Sequence, residues 1–246
     1  MATQWLEAKV LDNRHWTDAL FSLRVEGPSL QFEAGQFVRI ALDIDGGRVA
    51  RPFSFVNAPG DPVHEFYGIV VPEGPLSPRL AGLGPGDRLY VAPNPAGFLV
   101  LSEVPDAETL WLVSTGTGIA PFLSILRTEA PWRRFRNVVL VHAVRHAKEL
   151  VYRDLILEIS RKQELRYVTF VSREPNPGSL AGRIPAAVRD GRLERAAGLK
   201  IAPDTSQVLL CGNPDMLKDT TAALVERGLR KHRRRNPGHI SVESFW

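Results

Sequence analysis

Apolar, strand-like runs alternate with helical stretches from about residue 107 of this 246-residue chain onward, and this alternation restricts the fold more than any other feature. It predicts a parallel sheet covered by helices on both faces, with a buried strand at TLWLVST and a helix at KELVYRDLILEISRKQ among its elements. From about residue 3 to 101, short β-like runs are instead separated by turn clusters such as EGPS, DIDGG and LGPGD. Those runs are FSLRVE, QFVRIAL, RPFSFV, HEFYGIVV and RLYVAP, and they predict an antiparallel β-barrel. We therefore expect two domains, an antiparallel β-barrel over residues 1–101 and an α/β domain with a parallel sheet over residues 102–246.

A glycine-rich turn follows the first strand-like run of the second half. Residues 111–121 read WLVSTGTGIAP, in which bulky apolar residues end abruptly at Gly116, Thr117 and Gly118 before a helix-compatible stretch. Glycines let backbone amides approach a ligand and a helix start offers unpaired N–H groups, so the pyrophosphate of a dinucleotide suits this turn. The alternative is an ordinary strand-to-helix turn, because Pro121 stands where a dinucleotide fingerprint has its third glycine.

Composition limits the function classes. Lys and Arg number 31 against 27 Asp and Glu, so the chain carries a net charge of +4. The longest apolar runs, such as residues 138–141, are far too short to span a bilayer. The start MATQWLEAKV resembles no signal peptide, and the single cysteine cannot form an internal disulfide, so a cytoplasmic protein is expected. The histidines show no metal-ligand spacing, and without a cysteine cluster we expect no metal site.

Two short motifs in the barrel half have the chemistry of a flavin site. Residues 51–54, RPFS, offer a guanidinium for a diphosphate, an aromatic face for a ring and a hydroxyl for a ring nitrogen. Residues 74–77, GPLS, combine a tight turn, a helix N-terminus and a capping hydroxyl, which together suit a second phosphate. Taken singly, the end of a hairpin strand and a simple helix cap explain these motifs as well.

The motifs occur in an order that resembles one family over essentially the entire chain. RPFS, HEFYGIVVPEGPLSPRL, STGTGIAPFLSIL, LVHAVR, VSRE, GRIP, LCGNPDMLKDT and GHISVESFW are similar to the bacterial ferredoxin (flavodoxin)–NADP reductases. The resemblance implies an FAD-binding barrel and an NADP-binding α/β domain. It also implies an enzyme that exchanges electrons between NADP(H), by hydride transfer, and a ferredoxin or flavodoxin, with no need for more than a monomer.

The resemblance assigns the flavin to both halves of the chain. Arg51 would clamp the FAD diphosphate, Ser54 would approach flavin N5, and Thr117 would face the junction of flavin and nicotinamide. Phe53 stands where the family usually has tyrosine, which keeps the flat face but removes one donor. The expected FAD residues are Arg51, Pro52, Phe53, Ser54, Tyr67, Gly68, Ile69, Val70, Leu76, Ser77, Thr117, Phe245 and Trp246.

The last two residues are aromatic where a tail would normally be polar. The resemblance implies that Phe245 covers one flavin face and that Trp246 packs on the adenine. A covering ring must move before nicotinamide can stack on the flavin, so the tail is expected to act as a gate. The alternative is a tail that plugs a hydrophobic groove.

The coenzyme is predicted from charge together with the resemblance. Arg145, Arg173 and Arg183 follow successive strands or open a helix, and paired guanidinium bonds suit the dianionic 2′-phosphate of NADP(H). Each arginine alone would be read as a solvated surface residue. The expected NADP residues are Gly116, Thr117, Val144, Arg145, Ser172, Arg173, Arg183, Gly212, Asn213, Asp215 and Asp219. The two aspartates fit helix capping or a solvated helix face equally well.

Three residues are expected to act in the reaction: Ser54, Cys211 and Glu243. The resemblance makes Cys211 a shaping contact for nicotinamide without a covalent role, and Glu243 a group that helps organise hydride transfer. Their alternatives are a small buried core residue and a solvated carboxylate.

The densest charge run is residues 230–235, RKHRRR. It would attract an acidic ferredoxin or flavodoxin, although a solvated face explains it equally well, and it lacks the features of a nucleic-acid-binding module. Two other functions stay open. A flavin reductase or oxygenase-partner reductase would share the nucleotide chemistry, and a non-enzymatic flavin- or nucleotide-binding module would show no NADPH-dependent electron transfer.

Overall fold

A computed structural model describes residues 4–27 and 29–244. The first part is an antiparallel sheet of six strands in the order β4-β3-β6-β1-β2-β5. A bridge between Phe55 and Phe66 joins the two edges, so the sheet closes into a barrel. The strands are β1 Leu6–His15, β2 Leu20–Glu26, β3 Phe37–Ile44, β4 Gly47–Ser54, β5 Val63–Ile69 and β6 Arg88–Val91.

Alternation along β2 shows why the barrel forms and what lies against it. Phe21, Leu23 and Val25 point inward and are buried in the barrel core. Leu20 and Ser22 point outward, yet they are buried too. Leu20 packs into a hydrophobic core that is formed mostly by residues of the second half. A short helix, α1 Ser77–Ala81, follows β5 and closes one side of the barrel with the buried Leu80.

The second part is a parallel sheet of six strands in the order β10-β9-β8-β7-β11-β12. Alternate residues of β7 pack on opposite faces, since Leu110 and Leu112 belong to one core, and Trp111 and Val113 to another. The strands are β7 Thr109–Thr115, β8 Asn137–Val144, β9 Leu165–Val171, β10 Leu180–Ala181, β11 Ser206–Cys211 and β12 Ile240–Glu243. Both predicted sheet types are thereby confirmed, while the division at residues 101 and 102 stays a prediction.

Helices cover this sheet on both faces. They are α2 Ala120–Leu126, α3 Ala130–Arg134, α4 Arg153–Lys162, α5 Ile184–Arg189, α6 Arg192–Ala197 and α7 Pro214–Val225. Short 3-10 helices span Leu101–Glu103, Gly116–Ile119 and Ala147–Glu149. The chain proceeds in one direction from β7 to β10 and then returns to add β11 and β12 on the other side of β7. Ligands of such sheets bind beyond the carboxyl ends of the strands at this switch point, here between β7 and β11.

Candidate functional site

The glycine turn lies at this switch point. Gly118 sits so close to the end of β11 that a Cβ on it would lie 2.4 Å from the carbonyl oxygen of Cys211. Gly116 has φ +53, and a Cβ there would meet nothing within 4 Å, so its backbone faces open space. Glycine is therefore required at 118 for packing, and the turn leaves room for a ligand on its other side.

A cavity of about 430 Å³ lies between the barrel and this turn. Ten residues that were expected to hold FAD line it: Arg51, Pro52, Phe53, Ser54, Tyr67, Gly68, Ile69, Leu76, Ser77 and Thr117. Val70 does not line it and packs against the barrel core instead. Phe245 and Trp246 lie outside the described residues, so their expected flavin contacts stay predictions.

Gly68 makes room for the aromatic wall of this cavity. A Cβ at that position would lie 3.0 Å from Phe53 Cε1 and 2.8 Å from Phe21 Cζ. Phe53 therefore keeps its ring at the cavity with glycine beneath it, as the aromatic role requires.

Ser77 does not act as the predicted cap. It is the first residue of α1, and its hydroxyl accepts a hydrogen bond from the Val71 backbone N–H at 2.8 Å, while Leu76 occupies the cap position without a side-chain bond. The expectation of a capping hydroxyl is wrong because Ser77 lies one residue past the cap position and its hydroxyl binds the Val71 N–H instead. The hydroxyl remains on the wall of the cavity.

A second cavity of about 590 Å³ opens at the carboxyl ends of the parallel strands. The expected NADP residues on its wall are Gly116, Thr117, Val144, Arg145, Ser172, Arg173, Arg183, Asn213, Asp215 and Asp219. Gly212 lines the first cavity instead. Its backbone has φ +137 and passes so close to Thr115 that a Cβ would meet Thr115 Oγ1 at 2.2 Å.

Asn213 has a structural task in addition to its place on this wall. Its side chain is the N-cap of α7 and accepts hydrogen bonds from the backbone N–H groups of Asp215 and Met216 at 3.0 and 3.2 Å. Its own N–H donates to Thr115 Oγ1 at 2.9 Å. These bonds fix the start of α7 against the end of β7.

Several wall residues were not among the expected site residues, and two of them bear on the chemistry of the cavities. Val71 is exposed and lines both cavities. Glu149 adds a carboxylate to the cavity that the three arginines line, where only cationic side chains were expected to bind the phosphate. Glu149 stands three residues after His146 and forms a capping box with it. This spacing was the signal in the sequence that could have placed Glu149 at the turn after β8.

Cys211 and Glu243 lie side by side, since they are register partners in the parallel pair of β11 and β12. Cys211 is fully buried in the core and lines neither cavity. Burial raises the pKa of its thiol, and the nearby Glu243 carboxylate raises it further, so the sulfur stays protonated. The structure thus matches the alternative of a small core residue, and its contact with nicotinamide stays a prediction.

Glu243 is half-buried, so the alternative of a solvated carboxylate does not hold. Its Oε1 accepts a hydrogen bond from the Phe98 backbone N–H at 3.2 Å, and within residues 4–27 and 29–244 its buried Oε2 has no hydrogen-bond partner. Burial raises the pKa of this carboxyl to about 7, although the Phe98 bond opposes the rise.

Comparison with known proteins identifies the family. Residues 112–222 match the model of the oxidoreductase NAD-binding domain. The flavodoxin/ferredoxin–NADP reductases of Shigella flexneri and Escherichia coli strain K12 are 53% and 52% identical to this chain, and each match covers 98% of this chain and 99% of the relative. The chain belongs to the flavodoxin/ferredoxin–NADP reductase family. A solved ferredoxin NADP+ reductase from Neisseria gonorrhoeae with bound FAD and NADP is 35% identical, with a TM-score of 0.94 over 98% of this chain and 99% of that one.

The basic run of this reductase lies next to an exposed aromatic ring. Arg234 pairs with Glu103 at 2.9 Å and holds its guanidinium 4.3 Å from the centre of the Phe98 ring, which is 64% exposed. Arg230, Lys231, Arg233 and Arg235 are exposed around it. The run is therefore a cationic surface with an apolar side chain at its border, beside the backbone N–H that binds Glu243.

Membrane-spanning helices and metal-binding clusters are absent from the described residues. No helix within residues 4–27 and 29–244 is long and apolar enough to cross a bilayer. The same residues hold no group of three or more His, Cys, Asp or Glu side chains arranged to bind a metal ion.

Proposed function

We propose that this reductase carries FAD and exchanges electrons between NADP(H) and a one-electron carrier protein, a ferredoxin or flavodoxin. The observation that carries the proposal is that the two cavities share a wall, because Ile69, Val71 and Thr117 line both. A flavin ring in the first cavity and a nicotinamide at the edge of the second would meet there, which is the geometry that hydride transfer requires.

The first cavity fits a flavin dinucleotide in chemistry. Phe53 supplies an aromatic face, the exposed Arg51 supplies a guanidinium, and the buried Ser54 supplies a hydroxyl on the same strand. Thr117 and Gly118 of the glycine turn complete the wall of this cavity. When bound, FAD accepts a hydride from NADPH and passes electrons on singly. The residues of the chain would bind the two cofactors, orient them and exclude water from the place where they meet.

Specific roles follow from this placement as parts of the proposal. Ser54 would hydrogen-bond the flavin edge, and Arg51, Leu76 and Ser77 would hold the diphosphate. Glu243 would control the protonation and packing of the region next to Cys211. The tail residues Phe245 and Trp246 would cover the flavin and yield to nicotinamide.

The second cavity fits a coenzyme that carries a phosphate on its ribose. Arg145, Arg173 and Arg183 converge on it from the ends of β8 and β9 and the start of α5. Three guanidinium groups can bind the several phosphates of NADPH with charge-assisted bonds. The carboxylates of Asp215 and Asp219, which also line this cavity, would contact the ribose or amide groups.

The carrier protein would approach the basic run at residues 230–235. A cationic surface steers an acidic carrier toward it, and this effect weakens as salt is added. The relatives named flavodoxin/ferredoxin–NADP reductase support this class of partner. A monomer in the cytoplasm is the simplest setting for the proposed activity.

The test is electron transfer from NADPH through the FAD-loaded protein to a purified ferredoxin or flavodoxin. We expect carrier reduction that slows when Arg233 and Arg235 are both changed to Glu at low salt, and little difference at high salt. The double change Arg153→Glu with Arg161→Glu, at two exposed positions of α4, is the matched control for two charge reversals elsewhere. Rapid transfer to free flavin but none to either carrier would favour a flavin reductase. No NADPH-dependent transfer to any acceptor would leave only a binding module.

A further inference from the structure

Two carboxylates occupy the backbone donors at the end of β8. The N–H groups of Arg145 and His146 donate to Glu149 Oε2 at 2.9 and 3.3 Å. The next N–H, that of Ala147, donates to Glu174 Oε1 at 2.6 Å. Three successive backbone donors of this turn therefore point at carboxylate oxygens.

The same contacts join the ends of two strands. Glu174 also approaches His146, with 3.4 Å between its Oε2 and Nδ1. The backbone N–H of Arg173 donates to the carbonyl of Arg145 at 2.9 Å. Arg145 and Arg173, which both line the second cavity, thus extend from two strand ends that Glu174 joins, while Glu149 binds N–H groups within the turn after β8.

This arrangement decides how a phosphate can be held here. Successive free N–H groups in a turn form an anion site, but these donors already have partners. A phosphate at this strand end must then be bound by guanidinium side chains, whose position depends on the backbone beneath them. Pairing the donors with carboxylates also keeps Glu174 ionised, because the Ala147 N–H and His146 lower the pKa of its carboxyl.

We infer that Glu149 and Glu174 are positioning residues for coenzyme selection. Glu149 fixes the backbone of the turn at residues 145 and 146, and Glu174 holds this turn against the end of β9, so that the guanidinium groups of Arg145 and Arg173 stand ready for the 2′-phosphate. The inference rests on the proposed function, because it assumes that the second cavity binds NADP(H). Neither glutamate touches the reacting atoms.

The test is calorimetric titration of the FAD-loaded protein with 2′-phospho-AMP and with 5′-AMP. Removal of the Glu174 carboxylate in Glu174→Ala should weaken binding of 2′-phospho-AMP by about tenfold and leave 5′-AMP within about twofold, since only the first probe needs the arginines. Glu174→Gln keeps an oxygen for the Ala147 N–H and should restore most of the affinity. Glu149→Gln should behave like Glu174→Gln.

The control is Glu158→Ala, which removes an exposed carboxylate that pairs with Lys162 on α4. It should change neither titration. Equal weakening of both probes by Glu174→Ala, or no weakening of either in a variant with unchanged circular dichroism, would overturn the positioning role. Equal affinity of the unaltered protein for both probes is a different outcome, because it would overturn the coenzyme assignment itself and the inference with it.

Discussion

Replacing Glu243 with glutamine should make the stability of the reductase less sensitive to pH. Glu243 is an acid whose pKa rises from 4.5 to about 7 in the folded protein, because burial disfavours its charged form. The folded state therefore holds the proton more tightly than the unfolded chain. The protonated Glu243 therefore contributes to the free energy of unfolding, and this contribution is complete below about pH 4.5 and is lost as pH rises through about 7.

The magnitude follows from the size of this shift. A pKa rise of that size changes the free energy of unfolding by about 3 kcal/mol between the fully protonated and fully ionised limits. About 2 to 3 kcal/mol of this change falls between about pH 5 and about pH 8. The amide in Glu243→Gln would not ionise and would keep an oxygen for the Phe98 N–H, which lies 3.2 Å from Glu243 Oε1. The variant should therefore lose about 2 to 3 kcal/mol less than the unaltered protein over that interval.

The assay is urea unfolding of the FAD-loaded protein at both pH values, with the unfolding free energy compared between variants. Glu158→Gln is the control, because the Lys162 bond lowers rather than raises the pKa of that exposed carboxyl. It should not reduce the loss of stability toward high pH. Identical pH profiles for the unaltered protein and Glu243→Gln would refute the reasoning, since Glu243 would then titrate like a solvated carboxyl.

The remaining predictions concern the two cavities. Arg173→Ala and Arg183→Ala should each raise KM for NADPH, by a factor equivalent to a loss of roughly 1.5 to 3 kcal/mol of binding free energy per charged hydrogen bond, while KM for NADH changes little. Equal effects on both coenzymes in steady-state kinetics would contradict their role. Ser54→Ala should slow flavin reduction in single-turnover experiments with FAD still bound; an unchanged rate would exclude its placement beside the flavin. Gly118→Ala should destabilise the protein by about 2 to 3 kcal/mol through overpacking against Cys211, whereas Gly116→Ala should cost only its strained backbone, about 1 kcal/mol. Equal melting temperatures for these two variants would contradict the packing of the turn.

Much of the fold could be predicted because local pattern and burial agree. The run TLWLVST was expected to be a buried strand, and it is β7, with Leu110, Trp111, Leu112 and Val113 packed in cores on both faces. A strand between two helical layers has no polar side, so its sequence shows an unbroken apolar run.

The helix predicted from KELVYRDLILEISRKQ shows where local pattern fails. Its first residues form a short 3-10 turn, and α4 begins only at Arg153, because Tyr152 has a left-handed backbone with φ +58. The Tyr152 hydroxyl lies within hydrogen-bond distance of Ser22 and donates to Glu65 Oε1 at 2.8 Å. Those partners belong to the barrel, and no local signal in the sequence announces them.

β1 was not among the predicted strands for a related reason. Its sequence, LEAKVLDNRH, buries only Ala8 and Val10, and it becomes a strand because β2 and β6 pair with it on either side. Some residues of the site could likewise be predicted from the sequence and others could not. The motif residues of the first cavity were found from their chemistry, but Glu149 acts through backbone groups that only the folded turn brings to it.

Anaerobic mixing of the FAD-loaded protein with NADPH, and separately with NADH, tests the central claim most directly. Stopped-flow absorbance follows the bleaching of the bound flavin. Rapid bleaching by NADPH and slow bleaching by NADH would support a shared wall between a flavin cavity and a cavity selective for the 2′-phosphate. A protein that binds no FAD, or bound flavin that NADPH does not bleach, would contradict the assignment of these two cavities.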